Sequence, residues 1–216
     1  MSCLLLLTLM SASSVDAGAP NSPGPLSPSG IFLAKSIDKK WWRNAHQKAS
    51  GPLEFSNADG RFSHPTLPFK TLYLGSDGIT CFWESGLGRN LIDRFPTDRT
   101  IAADDLISRI EYSVLITPAK LRLFNANDSA ARRSIGAKSI ACFLSSHAIA
   151  RQWAQALFSI GIHGILYPSA RSNGTCLALF ESPETCGALG SPRPIRNSYQ
   201  NAELLARLLV EGVRTL

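Results

Sequence analysis

Residues 144–180 read LSSHAIARQWAQALFSIGIHGILYPSARSNGTCLALF, and this stretch decides the fold class. Its first half places Leu144, Ala148, Trp153, Ala156, Leu157 and Ile160 near helical spacing, giving one apolar face. Ser145 or Ser146 supplies an N-cap hydroxyl, and Gly161 marks the stop. Gly164–Tyr167 and Cys176–Phe180 then read as two strands. A helix followed directly by a strand pair is a unit of a mixed architecture.

The same mixture continues on both sides. Upstream, Ile31–Lys35, Thr71–Leu74, Ser113–Ile116 and Leu121–Phe124 read as strands. The turn Gly75-Ser76-Asp77-Gly78 stops the second of these, and a helix opens between Ile79 and Gly86. Residues 36–58 are polar, basic and aromatic. They read as an irregular loop or short helix that packs Trp41 and Trp42 over the core, not as a nucleic-acid contact. Downstream, Asn201–Arg214 reads as an amphipathic helix through Leu204, Leu205, Leu208, Leu209 and Val213. Strands and helices do not alternate regularly, so a parallel βαβ sheet is excluded and an α+β domain is expected.

Composition narrows the class. A hydrophobic share of 44% and a charged share of 18% in 216 residues exclude a largely disordered chain. No Gly-X-Y period and no sustained heptad is present. No apolar run reaches the roughly 18 residues of a conventional membrane span. The net charge of +6 suits an anionic partner such as a nucleotide, an acidic protein or nucleic acid, and equally an ordinary soluble domain. The five cysteines are irregularly spaced, with no CxxC pair and no matching histidines. This predicts no metal site and no structural disulfide, as in a reducing compartment.

The N-terminal region reads separately. Cys3–Met10 is a short apolar run, and residues 1–17 are either a secretory signal peptide or a disordered extension from an upstream start. Residues 18–30 are rich in Pro and Gly and read as a flexible linker. The folded domain is therefore expected over 31–216, with residues 1–30 packing little against it.

Dinucleotide, Walker, zinc-protease and nucleophile-elbow motifs are all absent. What remains is a set of polar residues at strand ends: Gly60-Arg61-Phe62-Ser63-His64-Pro65, Tyr73 within Leu72-Tyr73-Leu74, Glu84, and Gly164-Ile165-Leu166-Tyr167-Pro168-Ser169-Ala170-Arg171. These four segments, in this order, with the strand Cys176–Phe180 after them, resemble the RES domain family over residues 31–182. The resemblance implies a single domain similar to the ADP-ribosyltransferase fold, with small mixed sheets flanked by helices. It implies NAD+ as substrate, not as a retained cofactor, and a toxin of a bacterial toxin–antitoxin pair neutralised by an Xre-type helix-turn-helix antitoxin. A bacterial cytoplasmic location follows, with secretion if residues 1–17 act as a signal. No direct nucleic-acid binding is expected, and homo-oligomer formation is left open.

By motif position, the implied site residues are Arg61, Tyr73, Glu84 and Ser169, with Lys35 and Arg171 as further NAD+ contacts. The family's usual first-strand arginine has no counterpart in Ile31-Phe32-Leu33-Ala34, where Lys35 is the nearest cation. A catalytically degenerate binding module and a secreted ADP-ribosylating effector are therefore the alternative readings. The residue types suit the chemistry. Cleaving the nicotinamide–ribose bond passes through an oxocarbenium-like state that a carboxylate such as Glu84 stabilises. Arg61 suits the pyrophosphate, Tyr73 can stack on nicotinamide, and Ser169 can bond the nicotinamide or a ribose hydroxyl.

Overall fold

A computed structural model describes residues 19–27, 40–93, 99–117, 119 and 121–216. The expected strand Ile31–Lys35, with Lys35 itself, and residues 1–17 lie outside the described residues.

The apolar run of the deciding stretch becomes the centre of the sheet. β6 (Gly164–Pro168) and β7 (Thr175–Phe180) pair antiparallel, and both are buried on two faces. Ile165, Tyr167, Ala178 and Phe180 point into one core. Leu166, Leu177 and Leu179 point into another on the opposite face. The remaining strands are β1 (Lys40–His46), β2 (Thr71–Gly75), β4 (Arg109–Leu115), β5 (Leu123–Asn125) and β8 (Arg193–Asn197), with β3 (Thr100–Ile101) and β9 (Arg214–Thr215) apart. They form a seven-stranded sheet in the order β5-β6-β7-β2-β1-β4-β8 and a two-stranded β3-β9 sheet. Only β5–β6 is parallel in the large sheet, so the architecture is α+β with a mixed sheet.

The sheet is not evenly knit. β1 pairs with β4 along its whole length, from Lys40↔Leu115 to His46↔Arg109. It meets β2 only at Trp42↔Gly75. Beyond that pair the two strands part, and the sheet forks.

Helices cover both faces. α4 (Ser129–Ser134), α5 (Ala141–Leu144) and α6 (His147–Ser159) pack on the core that contains Phe62, Phe124, Phe143 and Trp153. Ser146 caps α6 through the Ile149 amide at 3.5 Å, and Gly161, at φ 76°, closes it. The closing bonds run from Ile162 N to Leu157 O and from Gly161 N to Phe158 O, the pattern of a Schellman stop. A third core joins α1 (Gly78–Glu84), α2 (Gly86–Asp93), α3 (Ala103–Ile107) and α8 (Ala202–Val210) through Phe82, Trp83, Leu106 and Leu204. α7 (Pro183–Ala188) starts at a Ser182–Thr185 capping box. Among the described residues no helix is long and apolar enough to cross a membrane.

Three expectations need correction. Lys40–His46 is a strand, not a loop: Trp41 is 2% exposed in the core, while Lys40 lies 4.9 Å over the ring of half-buried Trp42. The C-terminal helix ends at Val210, because Gly212, at φ 74°, turns the chain before Val213. Residues 19–27 are docked rather than loose. They form neither helix nor strand, as their prolines dictate. Yet Asn21 bonds Gly136, Lys138, Cys142 and Trp153, and Leu26 packs on the α4–α6 core.

One buried charge ties β4, β8 and α8 together. Glu111, 1% exposed, accepts from Arg196 Nε at 3.1 Å and from Asn201 Nδ2 at 2.7 Å. Asn201 in turn caps α8 through the Leu204 amide. Glu111→Ala strands both donors and is expected to lower the unfolding free energy by about 3 kcal/mol. Urea denaturation of the purified variant measures this.

Candidate active site

The Gly60–Ser63 turn is built around one aromatic and one hydroxyl. Phe62, fully buried, packs edge-on against Tyr167 with ring centroids 5.0 Å apart. The Tyr73 hydroxyl on β2 accepts from the Phe62 amide at 2.8 Å and donates to Ser63 Oγ at 3.1 Å. Gly60 is required here, since a Cβ would sit 2.5 Å from Ser63 Oγ and 3.1 Å from Tyr73 Oη. From α6, Arg151 Nε donates to Gly60 O at 2.9 Å, and its Nη2 pairs with Asp59.

Arg61 follows that glycine and reaches α5, where Nη1 donates to the carbonyls of Phe143 and Leu144. These are end carbonyls of a one-turn helix, which carry partial negative charge and lack helical partners. The guanidinium is thus oriented by neutral acceptors.

Glu84 ends α1. Its Oε1 accepts from Ser169 Oγ at 2.6 Å and from the Ala170 amide at 3.1 Å, and its Oε2 lies 3.9 Å from Arg171 Nη1. Ser169 in turn accepts from the amides of Arg171 and Ser172, which shapes the loop after β6. The carboxylate and its holder are 85 positions apart in sequence.

At the fork in the sheet, Arg43 Nη1 donates to the Tyr73 carbonyl at 2.9 Å. Its buried Nε has no hydrogen-bond partner among the described residues. Burial pulls the Arg43 guanidinium below its ordinary pKa, opposed by Cys81, Glu54 and Tyr73. Arg109, opposite His46 in the ladder, is pulled down in the same way, opposed by Asp105, while Arg43 adds to the shift. Both cations gain from an anion placed beside them. At the nearby thiols burial disfavours the thiolate. Burial pushes Cys81 up to about 12, against the pull of Arg43, and its Sγ–H donates to Trp42 O at 2.6 Å. Burial also raises Cys176 and the Tyr167 phenol.

These groups face one cleft of about 320 Å³, lined by Arg43, Arg61, Tyr73, Glu84, Arg109 and Arg171 among others. It borders a recess of about 30 Å³ beside Arg43, Cys81, Glu84 and Tyr167, room for about one water. A larger groove of about 690 Å³ lies between α1 and α8, but it contains none of the expected site residues. Its polar groups are largely used internally: Asp77 caps α1, and Thr80 bonds both Asp77 and Ser172. The expected site residues therefore gather in the smaller cleft, which is the candidate site. Among the described residues no cluster of three or more His, Cys, Asp or Glu side chains is arranged to hold a metal.

Of the residues expected from sequence, Arg61, Tyr73, Glu84 and Arg171 line the cleft. Ser169 stands behind Glu84 as its holder, and the Tyr73 hydroxyl is spent on the Gly60–Ser63 turn. Lys35 lies outside the described residues. Arg43 and Arg109 are not among the site residues expected from sequence; Arg43 reads there only as part of a basic aromatic loop. The first carried a signal, an arginine between Trp41-Trp42 and a polar run that forms a strand.

A RES domain model matches residues 39–197, well over half of the chain, which therefore belongs to the RES domain family. The match starts just before β1, so Lys35 lies outside it, while Arg43 is the arginine of β1 within it. Among solved structures, the chain is similar to a chain of the crystal structure of the M. tuberculosis MbcT–MbcA toxin–antitoxin complex. The TM-score is 0.53 at 18% identity, covering 78% of this chain and 89% of that one. At that identity the likeness is one of fold. No curated protein matches the chain.

Tyr73→Phe removes both hydroxyl bonds to the turn while keeping the ring. It is expected to cost about 1–3 kcal/mol of stability, because the buried Phe62 amide loses its acceptor. Denaturant midpoints of the wild type and the variant give the difference.

Proposed function

We propose that this chain is an NAD+-consuming RES toxin that breaks the nicotinamide–ribose bond, and that an Xre-type helix-turn-helix antitoxin neutralises it. The observation that carries the reading is a carboxylate, Glu84, fixed by Ser169 on the wall of a cleft that Arg43, Arg61, Arg109 and Arg171 also line, while the other lining carboxylate, Asp59, is exposed and paired with Arg151. A dinucleotide presents the matching pattern: an anionic pyrophosphate, and a ribose carbon that becomes positive as the glycosidic bond breaks.

In this reading Arg43, Arg61 and Arg109 take the pyrophosphate, and the unpartnered Arg43 Nε gains a phosphate oxygen. Nicotinamide leaves with the bonding electron pair as a neutral base. The developing charge at the ribose C1′ faces Glu84, held by Ser169 and the Ala170 amide before the substrate arrives. A preorganised carboxylate stabilises the transition state more than the ground state. An acceptor then forms the new bond to C1′ and loses its proton; water, phosphate and a protein side chain are the candidate acceptors. The toxin role and the antitoxin partner are supported by family membership and by likeness to a chain of a toxin–antitoxin complex. The degenerate-module alternative rested on the lack of a first-strand arginine; Arg43 on β1, inside the matched region and lining the cleft, supports the catalytic reading instead.

Glu84→Gln keeps shape and removes charge. Turnover is expected to fall on the order of 100-fold with NAD+ binding largely retained. Arg61→Ala is expected to raise KM, since pyrophosphate contacts act in the ground and transition states alike. Steady-state NAD+ consumption, with product analysis in the presence and absence of phosphate, separates the two. Unchanged turnover in Glu84→Gln refutes the catalytic role.

A further inference from the structure

We infer that residues 19–27 are a positioning strap for the cleft: Asn21 fixes α5, and α5 holds Arg61 in its ligand-binding orientation. The inference rests on the proposed reading of the cleft as a pyrophosphate site. It concerns a segment that lies before the matched family region.

α5 has only the four residues Ala141–Leu144, and no side chain caps its N-terminus. A single turn has no stability of its own and forms only where tertiary contacts impose it. Part of that imposition is apolar: Phe143, fully buried, packs against Phe124 and Trp153. At the N-terminal side of the turn the polar part comes largely from Asn21. Asn21 Oδ1 accepts from the Lys138 amide at 3.0 Å and from Cys142 Sγ at 3.2 Å. Asn21 Nδ2 donates to Gly136 O at 3.1 Å. Its backbone carbonyl accepts from the Trp153 indole at 2.7 Å, and Trp153 is fully buried. Asn21 therefore bridges the end of α4, the approach to α5, α5 itself and α6.

The far end of that turn does the work in the cleft. The carbonyls of Phe143 and Leu144, directly after Cys142, are the acceptors for Arg61 Nη1. An arginine that binds a phosphate bidentately must have its plane fixed, because a freely turning guanidinium loses entropy on each binding event. Releasing Asn21 frees the α4–α5 segment, shifts the carbonyls and unlocks Arg61. Glu84, Ser169 and Arg171 belong to other elements and stay in place.

The test is a double-mutant cycle on the full chain, read by calorimetric binding of inorganic pyrophosphate and of ADP-ribose. Asn21→Ala removes the side-chain bonds but retains the backbone acceptor for Trp153. It is expected to weaken binding about tenfold, a loss of about 1.4 kcal/mol. With NAD+ as substrate, KM should rise comparably and kcat stay within about twofold. Arg61→Ala should weaken binding by itself, and adding Asn21→Ala to it should produce no further loss. Cys142, buried in the wild type, should react faster with an aromatic disulfide reagent in Asn21→Ala. Losses that add in the double variant, or a turnover defect with KM unchanged, overturn the inference. Should Asn21→Ala not fold, Asn21→Asp carries the same cycle, since it keeps the Oδ1 acceptor and replaces the Nδ2 donation to Gly136 O with a charged oxygen facing that carbonyl. The two readings fail separately. Wild type that ignores NAD+ but binds pyrophosphate through Arg61 refutes the enzymatic reading alone. Wild type that consumes NAD+ with binding indifferent to Asn21 refutes the strap alone.

Discussion

The fork between β1 and β2 is the constraint on which the site depends. A seven-stranded sheet paired throughout would leave no room between these neighbours for a ligand. Here the ladder closes at Trp42↔Gly75 and opens immediately after. Opening a sheet exposes backbone groups that need partners. The chain meets that need with side chains: Arg43 reaches the Tyr73 carbonyl, and the Cys81 thiol reaches the Trp42 carbonyl. One substitution for the ladder thus brings a guanidinium into the gap, and the other sets α1 beside it. The C-terminal end of α1 delivers Glu84 to the same gap.

The anchors of the arginines explain the character of the cleft. Arg43 is held by the Tyr73 carbonyl and Arg61 by the α5 carbonyls. A carbonyl orients a guanidinium without cancelling its charge. Arg196 shows the contrast, since it meets the buried carboxylate of Glu111 and its charge is neutralised. In the cleft, therefore, Arg43 and Arg61 are fixed by main-chain oxygens with their charge left uncompensated, which is what the proposed anion site needs. Arg171, 3.9 Å from Glu84, is intermediate and holds the catalytic candidate without a close ion pair.

Some of this was legible in the sequence for local reasons. The α6 cap, the α6 stop and the apolar runs of β6 and β7 each depend on near neighbours, so pattern and position suffice. The motif residues Arg61, Tyr73 and Glu84 were legible through family resemblance, not through spacing. β1 was obscured because it sits at the fork: Trp41 is core, Arg43 faces the cleft, and buried Asn44 bonds Ser198. Such a strand shows no apolar alternation. The 19–27 segment was misread because composition speaks to helix and strand formation, whereas docking depends on a distant indole and thiol. Ser169 as the holder of Glu84 likewise depends on a contact across the fold.

The edges of the large sheet limit how another chain can approach. β8 exposes Arg193, Pro194 and Ile195, and a bulge opposite Glu111 and Tyr112 breaks its register with β4. Proline offers no amide to a new strand, and the bulge twists the edge away. The other edge, β5, has three residues before the chain turns into α4. Neither edge is a template for strand addition. A protein that approaches either of these two edges meets side chains, so its specificity there is written in charge and shape, not in main-chain pairing.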